Sequence, residues 1–211
     1  YMGHSSATKE KVKYTAIFTL DHRHGTIYHH FDSNTRVQLD NLYAFPSDQM
    51  VLARLLADRQ ACIVHAGGLI LDGKGLLFIG HSEAGKTTLL KMAPSEGEIL
   101  CDDRIIIRCW PDGIRIHGTW SHGDLPDVSP ASAPLTAVFY LEKTETNQII
   151  PITDKMARLG KLTSFLIRPF ATSEWWTKTI DLAFRVSTEI PAYRLQFDKS
   201  GEVFDILKKI R

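Results

Sequence analysis

The run Gly80-His81-Ser82-Glu83-Ala84-Gly85-Lys86-Thr87-Thr88 limits this chain more than any other stretch. It fits G-x-x-x-x-G-K-S/T, a loop that wraps phosphate oxygens when a strand precedes it and a helix follows. Both flanks have that character: Leu76, Leu77, Phe78 and Ile79 before it, and Thr88, Leu89, Leu90, Lys91 and Met92 after it. Gly80 and Gly85 allow the backbone to curl so that successive N–H groups point inward. The loop from Gly80 through Ser82, Glu83, Ala84 and Gly85 to Lys86, Thr87 and Thr88 is therefore expected to bind a nucleotide triphosphate. Lys86 would reach the outer phosphates, and the Thr87 hydroxyl is placed for Mg²⁺.

At 211 residues, with 44% hydrophobic and 23% charged residues, the chain can bury a substantial core,. A single domain spanning residues 1–211 is expected, with residues 1–10 polar and left out of the fold. A net charge of +1 supplies no bulk field for nucleic acid or a membrane surface,. No apolar run is long enough for a membrane span. Three cysteines, Cys62, Cys101 and Cys109, stand in apolar runs, which reads as buried reduced thiols and a cytoplasmic setting,.

Residues 12–31 read as a hairpin. The histidines His22, His24, His29 and His30 surround its turn without a cysteine or carboxylate at ligand spacing, so the reading is a solvated turn,. A helix is expected from Ser47, with Met50, Val51, Leu52, Leu55 and Leu56 facing a core. Then one long strand run, 61–71, meets Asp72-Gly73, a tight-turn signal, and the chain runs back from Gly75 to Ile79,. The glycine loop is thus entered from an antiparallel hairpin. Counting back across a two-residue turn sets His65 opposite Ile79 or Gly80, at the mouth of the loop.

Downstream, the apolar strand 98–101 ends in Asp102-Asp103 before another strand resumes. Adjacent acids between apolar runs are costly without a cation or basic partner. On an ideal strand they would point to opposite faces, so either the strand bends there or the tasks are divided, with one carboxylate for Mg²⁺ and one as base for a hydroxyl. The segment 117–124 is rich in glycine, histidine and hydroxyls, and Gly118 and His122 are its candidates for closing over phosphates or an acceptor. Residues 127–134 read as a mobile loop. Further expectations are a strand from Leu135, a helix over 153–166 capped by Thr153, Trp175 and Trp176 preceding a helix 180–186, a strand 191–197 and a closing helix.

Taken together, His65, Asp72-Gly73-Lys74-Gly75, the loop 80–87 and Leu100-Cys101-Asp102-Asp103 resemble the HPr kinase/phosphorylase catalytic domain and its smaller relatives. Gly118 to Gly123 and Pro191 to Phe197 look similar to segments of those relatives. The resemblance implies an α/β fold with a mixed, largely antiparallel sheet, shared with ATP-dependent phosphoenolpyruvate carboxykinase. It also implies ATP and Mg²⁺ as cofactors. By it His65, Lys86 and Asp102 are catalytic, Asp102 being favoured as the base, while Thr87 and Asp103 hold the metal. Glu83 stands where a glycine is usual and adds negative charge beside phosphates unless its side chain points outward.

The expected activity is transfer of the γ-phosphoryl group of ATP to a serine-type hydroxyl of a protein, peptide or small molecule. The alternative is an ATP-binding regulator without transfer, which Glu83 favours. A decarboxylating carboxykinase-like enzyme is disfavoured, since no second basic cluster for an organic acid is evident. The acceptor and the oligomeric state are left open.

Overall fold

The computed structural model describes residues 14–19, 24–29, 47–168 and 172–210. The chain divides into two units, residues 1–55 and 56–211. In the first, β1 (Tyr14–Phe18) pairs antiparallel with β2 (Gly25–His29), Phe18 opposite Gly25. His24 is exposed, as a solvated turn requires. His22, His30 and residues 1–10 lie outside the described residues. Helix α1 (Ser47–Ala57) begins in this unit and ends in the next. Its buried residues are Ala53, Leu56 and Ala57, whereas Val51, Leu52 and Leu55 are only partly buried. The i, i+3, i+4 stripe thus runs through two alanines that the expected apolar set did not include. The side chain of Met50 is outside the described part.

The second unit is a mixed, mostly antiparallel sheet covered by helices. Its strands are β3 (Ala61–Leu71), β4 (Lys74–Ile79), β5 (Glu98–Cys101), β6 (Arg104–Trp110), β7 (Gly113–His117), β8 (Ser132–Lys143), β9 (Gln148–Pro151) and β10 (Ala192–Phe197). The order is β4-β3-β6-β7-β8-β10-β9, with β5 beside β3 and a further parallel pairing of β4 with β8. The long strands β3 and β8 each change partners along their length. Residues 61–65 of β3 pair with β6, and 66–71 pair with β4. Because both strands pass through the interior, β3 is buried on nearly every residue and β8 throughout 137–141, whereas β6, β7 and the first residues of β8 alternate,.

Alternation along β4 divides the core. Leu77 and Ile79 join Val64, Ile105 and Val138 beneath α3 (Lys155–Ser164) and α4 (Ser173–Glu189). Leu76 and Phe78 pack with Phe139 and Phe197 beneath α2 (Lys86–Lys91) and α5 (Val203–Leu207). The β3–β4 turn is the two-residue Asp72-Gly73, both with positive φ (51° and 74°), as the primed hairpin turn demands,. Leu71 pairs with Lys74 and Ala66 with Ile79, so His65 falls opposite Gly80. The three cysteines are free and buried, and burial pushes the Cys62 thiol up to about 12.

Several local expectations are corrected. Residues 132–134 belong to β8 and pair with β7, and Ser129 N donates to Leu100 O at 3.0 Å, so the segment is tied down. Pro134 needs no donor at a position where the strand is changing partners. Asp154, not Thr153, caps α3, accepting from Met156 N at 2.9 Å. Trp175 and Trp176 lie inside α4, which starts at Ser173 behind the Thr172 cap. Trp175 is 2% exposed and meets Trp176 edge to face at 5.1 Å, whereas Met156 is 64% exposed. Trp175→Ala should cost about 3–5 kcal/mol. Met156→Ala should stay within about 0.5 kcal/mol of the parent. Urea unfolding followed by circular dichroism checks both, and equal losses would contradict the burial of Trp175.

Candidate functional site

The loop 80–85 joins the end of β4 to α2, so strand, glycine loop and helix follow one another as the sequence pattern requires. Gly85 stands at φ 102°, a conformation open to glycine,. Of the loop amides 81–86, among the described residues, only Ala84 N donates to a backbone carbonyl, that of His81 at 3.1 Å. Ser82 and Glu83 are exposed, and Glu83 has φ 68°, a left-handed conformation that a glycine adopts at lower cost,. Thr88 is half-buried on α2.

Lys86 is 7% exposed and still finds three acceptors for its three donors,. Its Nζ donates to Gly80 O at 2.8 Å and His81 O at 3.3 Å, and lies 3.0 Å from His65 Nε2. An ammonium only donates, so His65 Nε2 accepts and Nδ1 carries the ring proton. That Nδ1 is 3.0 Å from Asp103 Oδ1. Burial lowers the Lys86 pKa below its ordinary 10.5, while Asp103 and Asp102 pull it back up.

His65 owes its place to β3. Its backbone N donates to Phe165 O at 2.8 Å, and the next residue, Ala66, donates to Asp103 O at 3.0 Å. The acids themselves are the bend between β5 and β6, and they turn to different partners. Asp102, 3% exposed, accepts from Thr87 Oγ1 at 2.7 Å, Gly123 N at 2.6 Å and Leu125 N at 3.1 Å. Asp103 is partly exposed and meets His65, Arg104 Nε at 3.3 Å and Ser121 Oγ at 3.2 Å. The hydrogen bond from His65 holds its carboxyl below the ordinary 3.8, helped by Arg104 and Ser121 against partial burial.

The resemblance assigns Thr87 and Asp103 to the metal; in the structure the Thr87 hydroxyl donates to Asp102. Among the described residues, Gly118 and His122 make no hydrogen bond to either acid. Gly118 N bonds Ala131 O, and the exposed His122 ring bonds Gly123 O. The contacts come instead from Ser121, Gly123 and Leu125 of the same segment. The sequence pointed to the right segment but to Gly118 and His122 within it; a leucine amide leaves no trace in sequence. Arg104 was legible only as the base following two acids. Among the described residues no three His, Cys, Asp or Glu groups cluster as a metal set, and no helix is long and apolar enough to cross a membrane.

Fold and site define a mixed α/β chain with a lysine-bearing glycine loop facing two aspartates of divided contacts. A family model described as SynChlorMet cassette protein ScmC matches residues 39–210, and the chain belongs to that family. No curated protein matches it significantly. Among solved structures, the HPr(Ser) kinase/phosphatase from Coxiella burnetii is similar at 12% identity and TM-score 0.39, over 69% of this chain and 91% of that one.

Since folding lowers the Asp103 pKa, its charge stabilises the native state fully above the ordinary value of 3.8,. That contribution disappears as pH falls through the depressed native value. Asp103→Asn should therefore be less stable than the parent at neutral pH, with the gap narrowing toward about pH 3. Denaturant unfolding across that range tests it, and a gap that widens with acid would contradict the His65–Asp103 contact.

Proposed function

We propose that the chain is an ATP- and Mg²⁺-dependent kinase with a carboxykinase-like active site, transferring the γ-phosphoryl group to a serine-type hydroxyl. The observation that carries the reading is the division of the adjacent acids, Asp102 to Thr87 and Asp103 to His65, on either side of the buried Lys86 ammonium. The loop amides without backbone partners suit phosphate oxygens, and Lys86 rests on weak neutral acceptors that an anion would replace. Thr87 and Asp102 would hold Mg²⁺: both present hard oxygen donors, and this ion is usually completed by water and substrate phosphates. When bound, it would neutralise charge on the phosphoryl oxygens.

In this proposal the two aspartates take the reverse of the roles that the resemblance favours. Asp102 is nearly inaccessible and its oxygens are already engaged by Thr87 and two amides, which suits a metal-side ligand better than a base. Asp103 is reachable, and His65 and Ser121 orient it. In the proposed step Asp103 takes the proton of the acceptor hydroxyl as its oxygen bonds to phosphorus. The bond from phosphorus to the bridging oxygen breaks, and ADP leaves with that electron pair. Lys86, drawn off Gly80 and His65, stabilises the charge on the moving group. The regulator reading rests on Glu83, whose side chain is exposed.

Lys86→Ala should lose saturable binding of a fluorescent ATP analogue. Asp103→Asn should bind it normally but lose transfer by about 10²–10⁴-fold, read with γ-labelled ATP and cell extract as acceptor source. Asp102→Asn should chiefly raise the Mg²⁺ concentration needed. Full transfer by Asp103→Asn would sink its role as base, and saturable binding with no labelled acceptor would favour the regulator.

Nucleotide binding should also take up protons. The native Lys86 pKa is depressed and a bound polyphosphate raises it, so protons are absorbed between the two values,. Calorimetry at a series of alkaline pH values, in buffers of different ionisation heat, measures this. Proton release would contradict phosphate contact at Lys86.

A further inference from the structure

The β6–β7 hairpin carries charge that the phosphoryl-transfer reading does not use. On β6 the residues Arg104, Ile106, Arg108 and Trp110 share one face, and on β7 Gly113, Arg115 and His117 share the same one; all are partly buried, while the alternate residues are core,. The register sets Arg108 directly opposite Arg115. Like charges facing each other across a pair of strands repel. A carboxylate between them would relieve this, yet among the described residues neither arginine has an ion-pair partner.

What contacts they do make are weak or neutral. The Arg115 guanidinium bonds Ser132 O at 3.3 Å and Ser132 Oγ at 3.4 Å. Arg108 lies over the Trp110 ring at 3.6 Å, and its buried Nε has no hydrogen-bond partner. The Trp110 indole in turn donates to His117 Nε2 at 3.1 Å. His117 registers the surrounding field: burial and then Arg115 and Arg108 hold its pKa below 6.5.

This face is continuous with the candidate active site. His65 pairs with Arg104 across β3 and β6, and Arg104 Nε lies 3.3 Å from Asp103 Oδ2. From Arg104 to Arg108 is four residues of strand, about 13 Å. An extended peptide with its hydroxyl at Asp103 would carry side chains over the arginine pair about four residues away.

We propose that the β6–β7 face is the docking track for the acceptor, an acidic segment of a protein whose carboxylates pair with Arg108 and Arg115 about four residues from the modified hydroxyl. The occupant follows from charge complementarity: planar guanidiniums without an ion-pair partner among the described residues match carboxylates, and a net charge of +1 supplies no bulk field for a polynucleotide,. The proposal rests on the kinase reading for its orientation, but binding can be measured without transfer.

The probe is a fluorescein-labelled peptide of roughly twelve residues, one serine followed at about the fourth position by a run of glutamates. Fluorescence anisotropy with the full chain, without nucleotide, should show binding that weakens about ten-fold or more in Arg108→Gln/Arg115→Gln. The same variant should keep its binding of the fluorescent ATP analogue. If the double variant does not fold, Arg115→Glu should lose the peptide and Arg115→Lys retain it. Failure of the wild type to bind, equal affinity in the variants, or tighter binding of a single-stranded oligonucleotide of the same length would each overturn the track. Arginine-dependent peptide binding in a chain that fails to bind ATP would sink the kinase reading and leave the acidic-peptide surface standing.

Discussion

Lys86 holds a positive charge where little water reaches it, and the rest of the site is arranged around that cost. An ammonium in such a place must be hydrogen-bonded through all its donors or lose its proton. Gly80 O, His81 O and His65 Nε2 supply the bonds. Asp103 and Asp102 supply the opposing charge. The network then extends outward: His65 must accept on one ring nitrogen, which assigns its other nitrogen to Asp103. Each contact constrains the next, so the site is ordered before any ligand arrives.

That order depends on where β3 changes partners. The strand leaves β6 and joins β4 at His65–Ala66, the place where the bend between β5 and β6 puts the two acids. A single strand therefore sets the histidine against both the loop and the aspartates. The buried faces on either side, one under α3 and α4 and one under α2 and α5, leave β3 and β4 no freedom to slide. A shift of one residue would send the side chains of β4 that fit one core into the other,. Register, held by the hydrophobic core, is what keeps Lys86 and Asp103 within reach of one imidazole.

The segment 119–125 closes the arrangement from a distance in sequence. Thr119 Oγ1 bonds Arg104 O at 2.7 Å, while Ser121, Gly123 and Leu125 deliver one contact to Asp103 and two to Asp102. Two amides and a hydroxyl let a carboxylate stay buried at Asp102, and they separate its environment from that of its neighbour. Two chemically identical side chains thereby acquire different accessibility and different partners.

Much of this was legible before any coordinates. A glycine loop between an apolar strand and a helix, an Asp-Gly turn and a pair of acids ending a strand are local patterns, and local sterics and hydrogen bonding dictate them. Counting across the two-residue turn even set His65 at the loop. Helix ends were read less well: Asp154 in place of Thr153 and Ser173 in place of Ile180 turn on which side chain reaches an amide, a matter of one residue's geometry. The exposure of Met156 was not decidable from periodicity, because it depends on which surface a helix lies against. Sequence alone determined the strand–loop–helix order, the hairpin and the residue types of the site. Only the tertiary structure decided which aspartate meets Thr87 and that, among the described residues, no carboxylate stands between Arg108 and Arg115, since both depend on how strands and loops pack on one another.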